Sequence, residues 1–307
     1  MSRKAVVLFN LGAPDKLQSV KPFLFNLFND RAIIDLPNPF RFFLAKFISQ
    51  VRHNKAKDIY KQIGGKSPLL ENTLLQAKAL EKELGSAYKV FTCMRYWHPM
   101  IEEVKKEIKN YNPQEIILLP LYPQYSTTTT GSSFNQWYER NIFPAISITE
   151  ISNYPIDEFF INSIANKLNF NMKDTVVLFT AHGLPQSIID KGDPYQKQIE
   201  ATVNAILQKV KIDNYSICYQ SRVGPKAWIK PYADQEIIKY SKQNKNIIVV
   251  PVSFVSEHSE TLVELDIIYQ ALAIKNGAKS YKRITANGIC ETFIKGLADL
   301  ITSKVAA

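Results

Sequence analysis

Apolar positions along this chain fall into two recurring patterns. Short unbroken runs at residues 5–9, 89–93, 115–119, 175–179, 216–219 and 246–252 are rich in Val, Ile and Leu, and read as strands buried on both faces. Between most of them the apolar residues return every three or four positions, predicting helices over 74–84, 100–111, 194–210 and 231–242. Strand and helix in alternation predict βαβ units, hence an α/β fold with parallel sheets.

The two halves echo each other. Val6-Val7-Leu8-Phe9-Asn10-Leu11-Gly12-Ala13-Pro14 is matched by Val176-Val177-Leu178-Phe179-Thr180-Ala181-His182-Gly183-Leu184-Pro185, a strand running into a Gly/Pro turn in both. Ile116-Ile117-Leu118-Leu119-Pro120 is matched by Ile247-Ile248-Val249-Val250-Pro251, and 93–99 can be set beside 218–225. The echo predicts two similarly folded halves, placed at 1–145 and 146–286 with a C-terminal segment over 287–307. The stretch from Val6 to Cys93 is much longer than that from Val176 to Cys218, so the first half carries an insertion at about 21–66. Inside it Phe40, Phe43, Leu44, Phe47, Ile48 and Val51 mark one face of a helix. Such a stripe is ordinarily core; on an addition to a complete half, an apolar lip over a cleft or a membrane-surface element fits equally well.

Polar and aromatic clusters follow the strands, and open α/β sheets place ligands beyond the carboxyl ends of their strands. The expected site is therefore a cleft lined by these strand ends. The last apolar run leads into Ser-Phe-Val-Ser-Glu-His-Ser-Glu-Thr-Leu-Val-Glu-Leu-Asp at 253–266, with a helix expected after Ser256. On that helix Glu257, Glu260 and Glu264 would share one face. A carboxylate row is ordinarily a solvated face; at a strand end it becomes a candidate for handling cations or protons. His182 ends a buried strand in a Gly/Pro turn and is the strongest of the four histidines as a functional group. His258, next to Glu257, is placed to orient it, whereas His53 reads as solvated and His98 as part of a turn.

Composition changes little in this picture. A chain of 307 residues suits two domains of ordinary size. Three cysteines, Cys93, Cys218 and Cys290, with no Cys-x-x-Cys pair, argue against a disulfide framework and against a thiolate-held cluster. No run approaches the ~20 apolar residues of a membrane span. The start, with Arg3 and Lys4 before a short run broken by Asn10, reads as a first strand rather than a signal peptide, so a cytoplasmic protein is expected. The formal charge of +10 is concentrated: the insertion holds Arg41, Lys46, Arg52, Lys55, Lys57, Lys61 and Lys66 against few acids. Nucleic acid, anionic lipid or an acidic small molecule each suit such a patch. Lys61-Gln62-Ile63-Gly64-Gly65-Lys66-Ser67 lacks the spacing of a P-loop.

Taken together, the motifs resemble the ferrochelatase family nearly end to end. They are Leu11-Gly12-Ala13-Pro14, Ile63-Gly64-Gly65-Lys66-Ser67-Pro68, Met94-Arg95-Tyr96, Tyr122-Pro123-Gln124-Tyr125-Ser126 with Thr129-Thr130-Gly131-Ser132, Ala181-His182-Gly183-Leu184-Pro185, Gly192-Asp193-Pro194-Tyr195, Gln220-Ser221-Arg222-Val223-Gly224-Pro225, and 254–266. The family often has Ser after its histidine where this chain has Gly183.

The resemblance implies two Rossmann-like three-layer αβα domains with parallel sheets, chelatase-like, and a porphyrin cleft between them, with the C-terminal segment crossing back to the first. It implies insertion of Fe(II) into protoporphyrin IX with loss of two protons. The implied catalytic residues are His182, Glu260, Glu264, Glu257 and His258, with His182, expected neutral near physiological pH, and Glu260 as metal ligands. Arg95, Arg52 and Lys66 are implied for the propionates, and Tyr96, Tyr122, Ser126, Trp228 and Phe254 as further porphyrin contacts. Iron is substrate, and no permanently bound cofactor or iron–sulfur cluster is expected. The expected partners are porphyrin, ferrous iron and a membrane surface touched from the cytoplasmic side, with no nucleic acid. Coproporphyrin III as substrate, cobalt or nickel as metal, and a non-catalytic porphyrin or haem carrier remain open.

Overall fold

The apolar runs become parallel strands in the computed structural model, which describes residues 2–140, 142–170 and 173–305. The chain divides into one unit formed by Met1–Asn153 and Ile294–Ala307 and a second formed by Tyr154–Phe293. The last two residues of the expected C-terminal segment, Ala306 and Ala307, lie outside the described residues.

In the first unit β1 (Lys4–Asn10) is followed by α1 (Val20–Phe28), α2 (Phe40–Lys61) and α3 (Leu69–Leu84), then β2 (Tyr88–Met94), α4 (Ile101–Tyr111) and β3 (Glu115–Pro120). A π-helical turn, Thr127–Gly131, leads into α5 (Ser132–Glu139), and β4 (Ser147–Glu150) closes the sheet in the order β2-β1-β3-β4, all parallel. The second unit runs α6 (Glu158–Ala165), β5 (Thr175–His182), α7 (Gln186–Asp190), α8 (Tyr195–Lys209), β6 (Tyr215–Gln220), α9 (Ala233–Ser241) and β7 (Asn246–Pro251). A π-helix, Glu260–Tyr269, then continues as α10 (Gln270–Lys275) before β8 (Ser280–Arg283), giving the order β6-β5-β7-β8, again all parallel. The last helix, α11 (Glu291–Val305), begins in the second unit and groups with the first from Ile294 onward.

Val6, Val7 and Leu8 of β1, and Val176, Val177 and Leu178 of β5, are wholly buried, as parallel strands covered by helices on both faces require. Cys93 lies in the core beside Phe91 and Val104, and Cys218 in the other core beside Val249 and Ile237. The sequence pattern missed β4 and β8. Both are short, half-exposed edge strands without an apolar run, identifiable only by their pairing with β3 and β7. Because β4 belongs to the first sheet, the division falls after Asn153 rather than at 145.

The identical strand order makes the duplication explicit and corrects one of its matches. Met94 N–H donates to the Pro99 carbonyl, and Tyr219 N–H donates to that of Pro231, so Pro99 corresponds to Pro231 and not to Pro225. The connection after β6 is thus more than twice as long as that after β2, and it carries Ser221 and Trp228. The surplus of the first half is the hairpin of α1 and α2, packed through Phe25 on Phe42 and through Val20, Phe23, Leu24 and Tyr60.

Candidate functional site

Residue His182 is the last of β5, the strand flanked by β6 and β7. Its backbone is held on both sides: its N–H donates to Ser253 Oγ at 3.2 Å, and its carbonyl accepts from the Tyr195 hydroxyl at 3.1 Å. From β5 the chain leaves toward β6 and then crosses back to β7 on the opposite side. The carboxyl ends of β5 and β7 therefore flank the point where connections diverge, the usual ligand crevice of an open α/β sheet. Glu260 opens the π-helix that follows β7, and its Oε2 lies 2.8 Å from His182 Nδ1.

Around this pair a compact network forms. Ser221 Oγ donates to Glu260 Oε2 at 3.0 Å and also contacts Glu264 Oε2. Glu264 further accepts from Ser221 N–H at 3.0 Å, Gln220 Nε2 at 3.1 Å and the Tyr269 hydroxyl at 3.0 Å. On the helix, Thr261, Val263, Leu265 and Tyr269 are buried, which turns the two glutamates toward the strand ends.

Electrostatics follow from the geometry. Burial opposes the charge on His182, but the charge of Glu260, the hydrogen bond to it and the nearby Glu264 outweigh burial and raise the imidazole pKa above 6.5. The expectation of a neutral His182 is corrected accordingly: its charged form is favoured by Glu260. Burial would also raise Glu260, yet His182 first, then His258 and Ser221, hold it down to about 2. Glu264 goes the other way, raised by burial and by the charge of Glu260. His258 is pushed down, chiefly by burial. Its Nδ1 lies 3.1 Å from the Ser256 carbonyl and its ring meets Phe254 edge-on, with centroids 4.6 Å apart.

The expected row of three glutamates is split. The helix begins at Glu260, not after Ser256, so Glu257 lies on the preceding loop. There it pairs with Arg283 at 2.9 Å and accepts from Ala286 N–H, while Asp266 holds the same guanidinium through two bonds of 2.7 Å. Glu257 thus anchors the loop to β8, and His258 packs on Phe254 instead of orienting it.

Several expected porphyrin contacts are engaged inside the first unit. Arg95 donates to Asp30 Oδ2 at 2.7 Å, Ser132 Oγ at 2.7 Å and Gln136 Oε1 at 3.1 Å, so its charge is already paired. Tyr96 is buried, its hydroxyl 2.7 Å from the same Asp30 and its ring beneath the Arg95 guanidinium. Ser126 is buried as the cap of the π-helical turn, accepting from Thr128 N–H at 3.1 Å. Lys66 is exposed and paired with Glu71, and Arg52 is half-buried over the Phe28 ring. Tyr122 and Phe254 are half-buried. Trp228, also half-buried, packs beside the site: a Cβ built on Gly183 would lie 3.3 Å from its Cε3 and 3.0 Å from the Gln220 carbonyl, so Gly183 makes room for the indole.

Sequence reasoning assigned no role to Ser221, Gln220, Tyr195, Tyr269 or Asp30. The one local signal was that several of them sit in strand-end motifs. Among the described residues no group of three or more His, Cys, Asp or Glu is arranged to hold a metal ion. His182 and Glu260 supply two donor atoms, a sparse set suited to an ion that must leave again.

Comparison with known proteins bears on the fold and on the family. Solved structures with the same fold include SirB from Bacillus subtilis with Fe3+, at a TM-score of 0.57 and 11% identity, covering 99% of this chain and 96% of that one. CbiX, the terminal enzyme for siroheme biosynthesis in denitrifying bacteria, superimposes with a TM-score of 0.51 at 12% identity, over 98% of each chain. Proteins named ferrochelatase are far more similar in sequence. Those of Pelagibacter ubique (49% identical over 98% of this chain and 91% of its own), a Wolbachia of Drosophila simulans (51%, 97% and 98%) and Rickettsia bellii (52%, 97% and 86%) are three of them. The ferrochelatase family model matches residues 3–305, and with relatives of this similarity the chain belongs to the ferrochelatase family.

Proposed function

We propose that this chain is a ferrochelatase that inserts Fe(II) into protoporphyrin IX to give protohaem, the last step of haem biosynthesis, releasing two protons. Beyond family membership, the observation that carries this reading is the His182–Glu260 pair at the carboxyl ends of β5 and β7. Glu260 occupies Nδ1 of His182, so Nε2 is the ring nitrogen that meets the incoming iron or a pyrrole N–H, once the imidazolium that Glu260 favours has given up its Nε2 proton. Two protons must leave the macrocycle. The His182–Glu260 pair takes one after its own imidazolium proton has passed to solvent, and Glu264, whose carboxyl is raised, is the nearby group disposed to take the other.

No resident cofactor or iron–sulfur cluster enters the reading; acid-labile sulfide in purified protein would contradict it. The exposed face of α2, carrying Phe40, Phe43 and Phe47 among basic residues, supports reversible contact with the cytoplasmic membrane surface, where an apolar substrate with two propionates partitions. No helix among the described residues is long and apolar enough to cross a membrane.

The test is an anaerobic assay of purified protein with Fe(II) and protoporphyrin IX, following the metalloporphyrin spectrum, with coproporphyrin III, cobalt and nickel in parallel. His182→Ala should abolish insertion while porphyrin still quenches tryptophan fluorescence. A carrier would need the aromatic walls but not His182 with Glu260, so full turnover by this variant sinks the enzymatic assignment at this site.

A further inference from the structure

Ser221 stands out because its backbone is unusual and its contacts converge. Its φ is +63°, in the left-handed region that few residues other than glycine adopt. That conformation aims its N–H at Glu264 Oε1, at 3.0 Å, while its hydroxyl lies against both Glu260 Oε2, at 3.0 Å, and Glu264 Oε2. Backbone strain of this kind persists only where surroundings enforce it. Here β6 enforces it from one side, because Ser221 follows its last residue, Gln220, whose own Nε2 donates to Glu264.

The two glutamates depend on Ser221 unequally. Glu264 keeps Gln220 and Tyr269 as donors if the hydroxyl is removed. Glu260 accepts hydrogen bonds from His182 and from Ser221. Ser221 and Glu264 also line a cavity of about 490 Å³ with Tyr219, Ile268 and Leu272, so the serine that joins the two glutamates stands at the edge of open space.

We propose that Ser221 is a positioning residue for metal insertion: its hydroxyl fixes the Glu260 carboxylate against His182 and ties that pair to Glu264. This rests on the reading of the chain as a metal-inserting enzyme. Misplacing a reacting group by ~1 Å can cost about 100-fold in rate. Ser221→Ala removes the hydroxyl and keeps the left-handed backbone as costly as before, whereas Ser221→Gly removes the hydroxyl and relieves that cost. Both variants should therefore lose kcat by about 10- to 100-fold with KM for porphyrin within about twofold of the parent. A loss in Ala but not in Gly would place the effect in the backbone and overturn the proposal, as would parent-like kcat in both.

A second readout is independent of turnover. In ¹⁵N-histidine-labelled protein the His182 Nδ1–H resonance, identified by its loss in His182→Ala, should shift or broaden in Ser221→Gly as Glu260 loosens. If it stays unchanged, Ser221 does not position the pair. Should the parent protein insert no metal into any porphyrin, the functional reading falls, and this resonance still decides the role of Ser221.

Discussion

Opposite charges on His182 and Glu260 make the local stability depend on pH in a defined window. Glu260 is depressed from 4.5 to about 2, so its stabilising contribution is complete above 4.5 and is lost as pH falls toward 2. His182 is raised above 6.5, so its contribution is complete below 6.5 and is lost as pH rises through the raised value. The pair therefore stabilises the second unit most between pH 4.5 and 6.5. Melting curves of the parent and Glu260→Gln, compared across pH, should differ most in that interval and converge on either side. A difference that is flat from pH 3 to 9 would show that the two residues do not form an ion pair in solution. Gly183 yields another expectation: in Gly183→Ser the new Cβ meets the Gln220 carbonyl at 3.0 Å and Trp228 at 3.3 Å, so the indole must move by a few tenths of an ångström. Porphyrin KM should rise severalfold with little change in kcat; parent-like kinetics would mean Trp228 does not touch substrate. His182 and Glu260 were legible in the sequence because one ends an apolar run and the other opens a helix beside it. Ser221 was not, since its role arises from a positive φ and from partners some forty positions away. Arg95 is implied by the family resemblance for a propionate, and its pairing with Asp30 is not legible in the sequence because Asp30 lies on a loop far back in the chain.

Helix α2 shows how periodicity can identify an amphipathic face without saying what it meets. Phe40, Phe43, Phe47 and Val51 are 67, 63, 66 and 62% exposed, Leu44 sits at the margin and Ile48 is half-buried. The face packed inside the molecule carries the small residues Ala45 and Ser49, with Tyr60 further along. Exposure of four large apolar side chains in one stripe is what a docking face shows and a core face does not. Two of the cations nearby have structural tasks: Arg41 donates to the carbonyls of Asn29 and Leu36, closing the α1–α2 hairpin, and Arg52 lies over Phe28. For the membrane contact proposed above, Lys46, Lys55 and Lys57 would contribute about 1 kcal/mol each at an anionic surface, enough for association that salt reverses. The double variant Phe43→Ser with Phe47→Ser should bind anionic vesicles severalfold more weakly and melt within about 2 °C of the parent, since both side chains are already in water. A sharp drop in melting temperature with unchanged vesicle binding would identify the stripe as core. The π-helices escaped the sequence reading for a related reason: their i→i+5 bonding leaves an apolar pattern indistinguishable over one or two turns from that of an α-helix.

Duplication explains why so much of this molecule could be read from its sequence. Parallel strands buried on both faces write themselves as apolar runs, and two sheets of identical order repeat the runs at matching places. What a parallel sheet leaves at its edge carries no such run, so β4 and β8 stayed hidden, and with them the true limit of the first unit. The C-terminal helix completes the same reasoning. From Ile294 onward it groups with the first unit, although more than a hundred residues of the second intervene, and there Ile294, Leu297, Ala298 and Ile301 are buried. Their spacing of three, one and three is that of one helical face. Burying a large aliphatic side chain contributes roughly 1.5–3 kcal/mol, so three of them together approach the ~5–15 kcal/mol that holds a typical protein folded. A chain ending at Phe293 should therefore lose much of its stability, appearing in the insoluble fraction or melting at least ~10 °C lower. The milder pair Leu297→Ala and Ile301→Ala separates packing from chain length: each should cost about 2–5 kcal/mol in chemical denaturation, and as neighbours one turn apart on the same face the two costs need not add. If both substitutions leave the denaturation midpoint within the scatter of the parent, α11 is not part of the core, and the grouping of the C-terminal residues with the first unit has no energetic content.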